Sequence, residues 1–184
     1  DLAYQGLGQG MEEDAAGMRK VLAAVPEALI CYSCDKNFGL YRERVGALYV
    51  LARNAEDTAK VLTNGHILAR VNWSQPPDHG AAAARVVLED AELTRQWLAE
   101  LDTMRARMRE VRDALAGADN RVAGLDLTAL ASQNGLFSIL ALDKDQILAI
   151  REKHGVYMAG SGRINVAGLT MGNIGTFIEA LADV

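Results

Sequence analysis

Ser33-Cys34-Asp35-Lys36-Asn37-Phe38-Gly39-Leu40-Tyr41-Arg42-Glu43-Arg44-Val45-Gly46 is the stretch on which the reading of this chain turns. Apolar segments flank it, Ala28 to Tyr32 before and Val45 to Ala52 after, and both have the composition of short strands. A lysine in a loop between two buried strands is unusual, because lysine normally keeps its ammonium in solvent. Partly desolvated and near Arg44, Lys36 would hold its ammonium form less well, and a neutral amine is a nucleophile for carbonyls. Arg44 offers a planar fork that matches a phosphate, and Ser33 a hydroxyl. Lysine, serine and arginine together suit a phosphorylated aldehyde. A solvated loop is the plainer alternative at this point.

Outward from this loop, Met11 to Val25 reads as a helix. Glu12, Glu13 and Asp14 load its first turn, as the helix dipole favours, and Pro26 stops it. Gly6, Gly8 and Gly10 form a G-x-G-x-G that is not the dinucleotide fingerprint and reads as a turn. A second helix runs from Ala55 to about Val71, and Pro76-Pro77 marks a rigid break. Strands separated by helices suggest an α/β layout with a mostly parallel sheet. Trp97, Leu101, Met104, Met108, Val111 and Leu115 recur at alternating spacings of four and three, a narrow apolar seam on one long helix. Such a helix packs along its own domain, links two domains or meets a partner. Beyond Gly117 the pattern is that of a small α+β unit: a strand within Leu136 to Leu140, a helix Asp143 to Lys153, a strand Arg163 to Val166 and a last helix Thr170 to Leu181.

Composition excludes several classes. The formal net charge of -5 leaves no basic patch for nucleic acid. No apolar run approaches the roughly 20 residues needed to span a bilayer. Cys31 and Cys34 are the only cysteines, so a four-cysteine zinc site is excluded; as strand residues they read as inert thiols suited to a reducing cytoplasm. His66, His79 and His154 lack ligand spacing, and no metal is expected. Ser33-x-x-Lys36 matches a serine-hydrolase nucleophile motif, but the S-x-N and K-T-G partners that motif needs are missing.

The motif Ser33-x-x-Lys36-Asn37-Phe38-Gly39-Leu40-Tyr41-x-Glu43-Arg44-Val45-Gly46 resembles the lysine attachment motif of class I pyridoxal-phosphate-dependent aminotransferases, in the aspartate/aromatic subgroup. Asp1-x-Ala3-Tyr4-Gln5-Gly6 is similar to the strand-end motif that precedes it in that family. Arg70-x-Asn72-Trp73-Ser74-x-Pro76-Pro77 resembles the segment supplying an arginine across the dimer interface. Arg163-Ile164-Asn165-Val166-Ala167-Gly168, after Ser161-Gly162, resembles the segment holding the substrate-carboxylate arginine. The order and spacing of all four fit along the whole chain.

The resemblance implies the C-terminal part of a fold-type I transferase. Residues 1–103 would be the end of the large α/β domain, and 104–184 the α+β small domain, entered through the long helix. It implies a transaminase that moves an amino group between an aromatic or dicarboxylic amino acid and 2-oxoglutarate, through pyridoxal 5'-phosphate carried as a Schiff base on Lys36. Asp1 would pair with the pyridinium nitrogen, and Tyr4 would hydrogen-bond the ring's phenolic oxygen. Ser33 and Arg44 would hold the phosphate. Arg163 would clamp the substrate α-carboxylate, Phe137 would lie close to the substrate, and Arg70 would reach into the other subunit's site to meet a side-chain carboxylate. A homodimer follows from the same resemblance, and the two thiols add the expectation of a cytoplasmic protein. Gln75, standing where strict aspartate enzymes have asparagine, together with Tyr41-Arg42-Glu43-Arg44, inclines the substrate towards the aromatic or broad-range side.

Asp35 departs from the family pattern, which has a small residue before the lysine. A carboxylate there would repel a phosphate unless it points away or pairs with Arg42 or Arg44. The chain begins with Asp and not Met, so a fragment, a processed product or a clipped chain is expected; the resemblance implies that the rest of the large domain lies upstream and that this stretch alone is inactive. The competing expectation is a non-catalytic relative that serves as a structural or assembly partner.

Overall fold

The computed structural model describes residues 1–118, 122 and 124–184. The chain divides into two compact units, Asp1–Leu101 and Asp102–Val184.

In the first unit, helix α1 (Met11–Ala24) follows the glycine-rich stretch, which is a turn. The carboxylate of Asp14 accepts from the backbone N–H groups of Gly6, Gly8 and Gln9 at 2.9, 2.9 and 2.8 Å. One acidic side chain thus satisfies three turn donors. The helix ends at Val25, which is extended, as a residue before proline prefers. Strands β1 (Ala28–Ser33) and β2 (Gly46–Leu51) follow.

These strands pair antiparallel, from Ala28↔Leu51 to Ser33↔Gly46, which corrects the expectation of a mostly parallel sheet. Parallel neighbours need a crossover, usually a helix, and the loop from Cys34 to Val45 contains none. Parallel pairing occurs at one bridge, Leu2↔Tyr32, supported by Leu2 N–H donating to the Cys31 carbonyl at 2.8 Å. This lays the first residues of the chain alongside β1.

Helix α2 (Ala55–Trp73) is capped by Asn54, whose side chain accepts from the Asp57 N–H. It buries no residue, and Leu62, Ile67, Leu68 and Val71 are exposed along it. Helix α3 (His79–Glu89) was not expected from the sequence. Its run Ala81 to Ala84 has high helix propensity, but the helix is short and starts just past the Pro76-Pro77 break, where the sequence reading stops.

Helix α4 (Ala91–Ala116) carries the seam. Leu101, Met108, Val111 and Leu115 are buried and Trp97 half-buried, whereas Met104, just past the division between the units, is exposed.

The second unit holds the main apolar core: Val111, Leu115, Leu127, Leu130, Leu140, Ile150, Ile164, Val166, Phe177, Ile178 and Leu181 among others. Each such side chain stabilises by roughly 1.5–3 kcal/mol on burial. Strands β3 (Phe137–Ile139) and β4 (Arg163–Asn165) pair antiparallel, Phe137 opposite Asn165 and Ile139 opposite Arg163. Helix α5 (Lys144–His154) starts at a capping box formed by Asp143 and Gln146 and stops at Gly155, whose φ is +64°. Helix α6 (Ile174–Ala182) begins four residues later than Thr170, the expected start. Thr170 and Asn173 hydrogen-bond each other's backbone N–H through their side chains, and this competes with a further helical turn. Among the described residues no helix is long and apolar enough to cross a membrane.

Candidate functional site

The β1–β2 pairing carries Lys36 at its open end. Cys34 N–H donates to the Val45 carbonyl at 2.9 Å, extending the ladder one step into the loop. The chain then turns through Gly39, at φ +68°. Asn37 fixes this turn from within. It is buried, and its Nδ2 donates to the Gln5 carbonyl at 3.0 Å and to the Tyr32 hydroxyl at 2.7 Å. Burial pushes the Tyr32 phenol above its ordinary range, so it is a neutral acceptor for that bond at neutral pH. From the other side, the Trp97 ring stacks on Phe38 with centroids 4.4 Å apart and 13° between the planes.

Lys36 is thereby held with its side chain 20% exposed. Its Nζ lies 5.1 Å from the centroid of the Tyr4 ring and 5.9 Å from that of Tyr41. The Gln5 bond to Asn37 explains the first contact, since it ties the residue after Tyr4 to the residue after Lys36. An amine among aromatic rings, with most of its water removed, is placed to meet a planar aldehyde.

Ser33 Oγ accepts from the Asp35 N–H at 3.1 Å, which leaves the hydroxyl proton to donate elsewhere. Arg44 sits in the left-handed region, at φ +56°, and its side chain is 74% exposed. Its Nη1 donates to Asp35 Oδ2 at 2.7 Å and to the Tyr41 carbonyl at 2.9 Å. Asp35 therefore pairs with Arg44, one of the two partners foreseen for it, and its Oδ2 is 3.9 Å from Lys36 Nζ. Arg44 also lines a cavity of about 620 Å³ with Trp73, Pro76 and Pro77, so the loop carrying Arg44 and the segment after Arg70 face one space.

Structure thus gathers Lys36, Tyr4, Ser33 and Arg44 around one loop. It does not join Asp1 to them by any hydrogen bond or ion pair among the described residues; Asp1 is exposed at the start of the segment that pairs with β1. Arg70 is exposed in the last turn of α2 and has no side-chain partner among the described residues.

The second unit holds the other predicted residues. The Arg163 guanidinium lies 5.0 Å over the Phe137 ring, and both side chains are exposed. They line a cavity of about 460 Å³ together with Val156, Met158, Asn165 and Phe177. The β3–β4 register makes the pair, because it sets Arg163 two residues along from the position opposite Phe137, on the same face.

Three residues to which sequence reasoning gave no positioning role hold these groups in place. Asn37 and Trp97 fix the lysine turn. Arg112 is buried in the second unit, where its Nη1 donates to Ser138 Oγ at 2.7 Å and its Nη2 to the carbonyls of Gly135 and Phe137 at 2.7 and 3.1 Å. Burial lowers its pKa, the neighbouring Arg109 adding to the effect. Arg112 fixes the backbone that presents Phe137. The only signal in the sequence was an arginine next to the apolar seam of α4.

The two cysteines do not act together. Cys31 is exposed and Cys34 buried, and burial raises the Cys34 thiol, with Asp35 raising it further.

Residues 1–181 match the family model described as aminotransferase class I and II. The chain is 49% identical over 169 residues to the tyrosine aminotransferase of Rhizobium meliloti (strain 1021), covering 92% of this chain and 43% of that protein. It is 40% identical to the aspartate aminotransferase of Escherichia coli (strain K12), covering 100% of this chain and 47% of the relative. The aromatic-amino-acid aminotransferase from Burkholderia pseudomallei, solved covalently bound to pyridoxal phosphate, superposes with a TM-score of 0.92 at 37% identity, covering 98% of this chain and 46% of that one. The chain spans about half the length of the relatives it matches.

Proposed function

This chain belongs to the class I and II aminotransferases, and from that membership we propose that it carries the lysine, the phosphate-binding groups and the substrate arginines of a pyridoxal-phosphate-dependent transaminase. The observation that carries the proposal is the setting of Lys36, in a turn fixed by Asn37 and with its amine beside the rings of Tyr4 and Tyr41.

In this reading Lys36 is the residue that would hold the cofactor through its aldehyde, and its Nζ would be the group that moves a proton at the substrate Cα. Pyridoxal phosphate, when bound, supplies an electron sink for the bond broken at that carbon. Ser33 and Arg44 would hold its phosphate, Tyr4 would donate to its phenolic oxygen and Asp1 would pair with its ring nitrogen. Ser33 and Arg44 fit the phosphate in part: the hydroxyl proton of Ser33 is free to donate, and Arg44 uses only Nη1 for its protein bonds. Residues 1–103 then act as the end of the cofactor-binding domain, and 104–184 as the small domain.

Arg163 takes the substrate α-carboxylate, and Phe137 packs beside the substrate. The substrates are an aromatic or dicarboxylic amino acid and 2-oxoglutarate. The protein works as a homodimer in which Arg70 crosses to the partner's site. Two features of α2 support this: the exposed Arg70 and the exposed apolar side chains Leu62, Ile67, Leu68 and Val71 on the same helix.

Borohydride reduction of the full-length protein followed by peptide mass spectrometry tests the proposal. A phosphopyridoxyl group on Lys36 is expected. An adduct only on another lysine, or none, would overturn it; none would favour the second reading, a folded segment without catalytic work, for which the buried Asp35 beside Lys36 is the supporting observation.

A further inference from the structure

We propose that Asp35 sets this protein's affinity for its phosphate-bearing cofactor, by neutralising the arginine that meets the phosphate. The proposal rests on the cofactor reading above and goes beyond it.

Asp35 is 5% exposed. A carboxylate out of water is costly unless paired. One of its oxygens, Oδ2, has Arg44 Nη1 at 2.7 Å and Lys36 Nζ at 3.9 Å. The other, Oδ1, is buried with no hydrogen-bond partner among the described residues. The backbone N–H of the same residue donates to Ser33 Oγ. Asp35 therefore touches Ser33 and Arg44, the two groups assigned to the phosphate, and lies close to the lysine assigned to the aldehyde.

The consequence is electrostatic. A phosphate monoester carries between one and two negative charges at neutral pH. It approaches an arginine whose charge is already balanced by a carboxylate, and that carboxylate cannot retreat into solvent because it is buried. Arg44 still has Nε and Nη2 to offer, so binding is weakened and not abolished. Asp35 also acts on the aldehyde end through Lys36, but that effect is shared by any aldehyde, with or without phosphate. The phosphate term can therefore be isolated by comparing pyridoxal phosphate with pyridoxal.

The test uses the full-length protein stripped of cofactor, as wild type, Asp35→Asn and Asp35→Ser. Each is titrated with pyridoxal phosphate and with pyridoxal, and the lysine adduct is followed by absorbance and located by mass spectrometry. For Asp35→Asn the dissociation constant for pyridoxal phosphate should fall roughly ten- to thirtyfold, the size of one partly screened charge interaction. The constant for pyridoxal should fall by at least about threefold less than that for pyridoxal phosphate, because both share the effect through Lys36 and only the phosphate carries the charge that Asp35 repels. Asp35→Ser should behave alike, and it keeps the test decisive if the asparagine variant does not fold. Unchanged or weaker pyridoxal phosphate binding in the folded variants overturns the proposal, as does an equal gain for both aldehydes. Wild type forming no adduct on Lys36 with either aldehyde overturns the cofactor reading itself, and this proposal with it.

Discussion

The indole Nε1 of Trp97, on helix α4, donates to the backbone carbonyl of Asn37 at 2.6 Å. This bond spans 60 residues of sequence and ends on the residue next to Lys36. Together with the stack on Phe38, it makes one tryptophan the outer support of the lysine turn. Trp97→Phe should keep the stack and lose the donor, costing about 0.5–1.5 kcal/mol, the net worth of one hydrogen bond. Trp97→Ala should lose both, at about 3–5 kcal/mol. Denaturant unfolding of the full-length protein measures the two losses. Equal losses for Phe and Ala would show that the ring's stacking contributes nothing.

The two candidate substrate arginines should separate by substrate. Arg163→Ala should impair all amino acids alike, since each has an α-carboxylate. Arg70→Ala should impair aspartate and spare phenylalanine. Losing one fork to a desolvated carboxylate costs on the order of 2–5 kcal/mol. That is roughly thirtyfold to several-thousandfold in kcat/KM. Steady-state kinetics on both substrates checks this, and equal losses for aspartate and phenylalanine in Arg70→Ala would remove the assignment of Arg70.

Gly162 precedes Arg163 and has φ +76°; a Cβ built there would lie 2.2 Å from the Leu140 carbonyl oxygen. That oxygen belongs to backbone, which cannot swing aside. The residues are also tied directly, Leu140 N–H donating to the Gly162 carbonyl at 3.0 Å. Gly162→Ala should therefore destabilise by upwards of about 2 kcal/mol, combining left-handed strain with the clash. Thermal unfolding should show the drop; a melting temperature within a degree or so of wild type would count against the geometry of this turn.

Cys34 should be a slow thiol. Its pKa is raised above the ordinary 9.0 by burial first and by the Asp35 carboxylate second. The thiolate is the reactive form, so the sign is clear: alkylation should be slow at neutral pH and still be rising with pH above 9.0. Timed iodoacetamide labelling across pH, read by peptide mass spectrometry, gives the profile. A Cys34 rate that levels off below pH 9.0 would contradict it.

Much of this molecule was legible in local sequence, and the reason differs from element to element. Asp143 and Gly155 bracket α5 because a capping carboxylate and a left-handed glycine act within a few residues of the ends they define. Pro26 closes α1 in the same way. The Lys36 loop was visible because its motif is contiguous; the expectation that two buried strands flank it does not hold, since β2 is largely exposed, with Leu48 and Tyr49 open to solvent. By contrast, α3 was hidden, because it is a short alanine-rich helix directly after the Pro76-Pro77 break. The sheet direction was also misjudged: strand composition identifies strands but not their partners.

The sequence by itself determined the strands and capped helices, the position of Lys36 in a turn, and the residue types gathered near it. Those follow from short-range effects: caps, turns, proline stops and the contrast between apolar and charged residues. Tertiary structure alone decided which groups touch. It paired Asp35 with Arg44, and it brought Gln5 and Trp97 to Asn37. It also set Arg163 over Phe137 and buried Arg112 beneath the loop that carries Phe137. Each of these contacts depends on chain segments meeting in space, and no local energy term encodes which of several chemically suitable partners the fold will deliver.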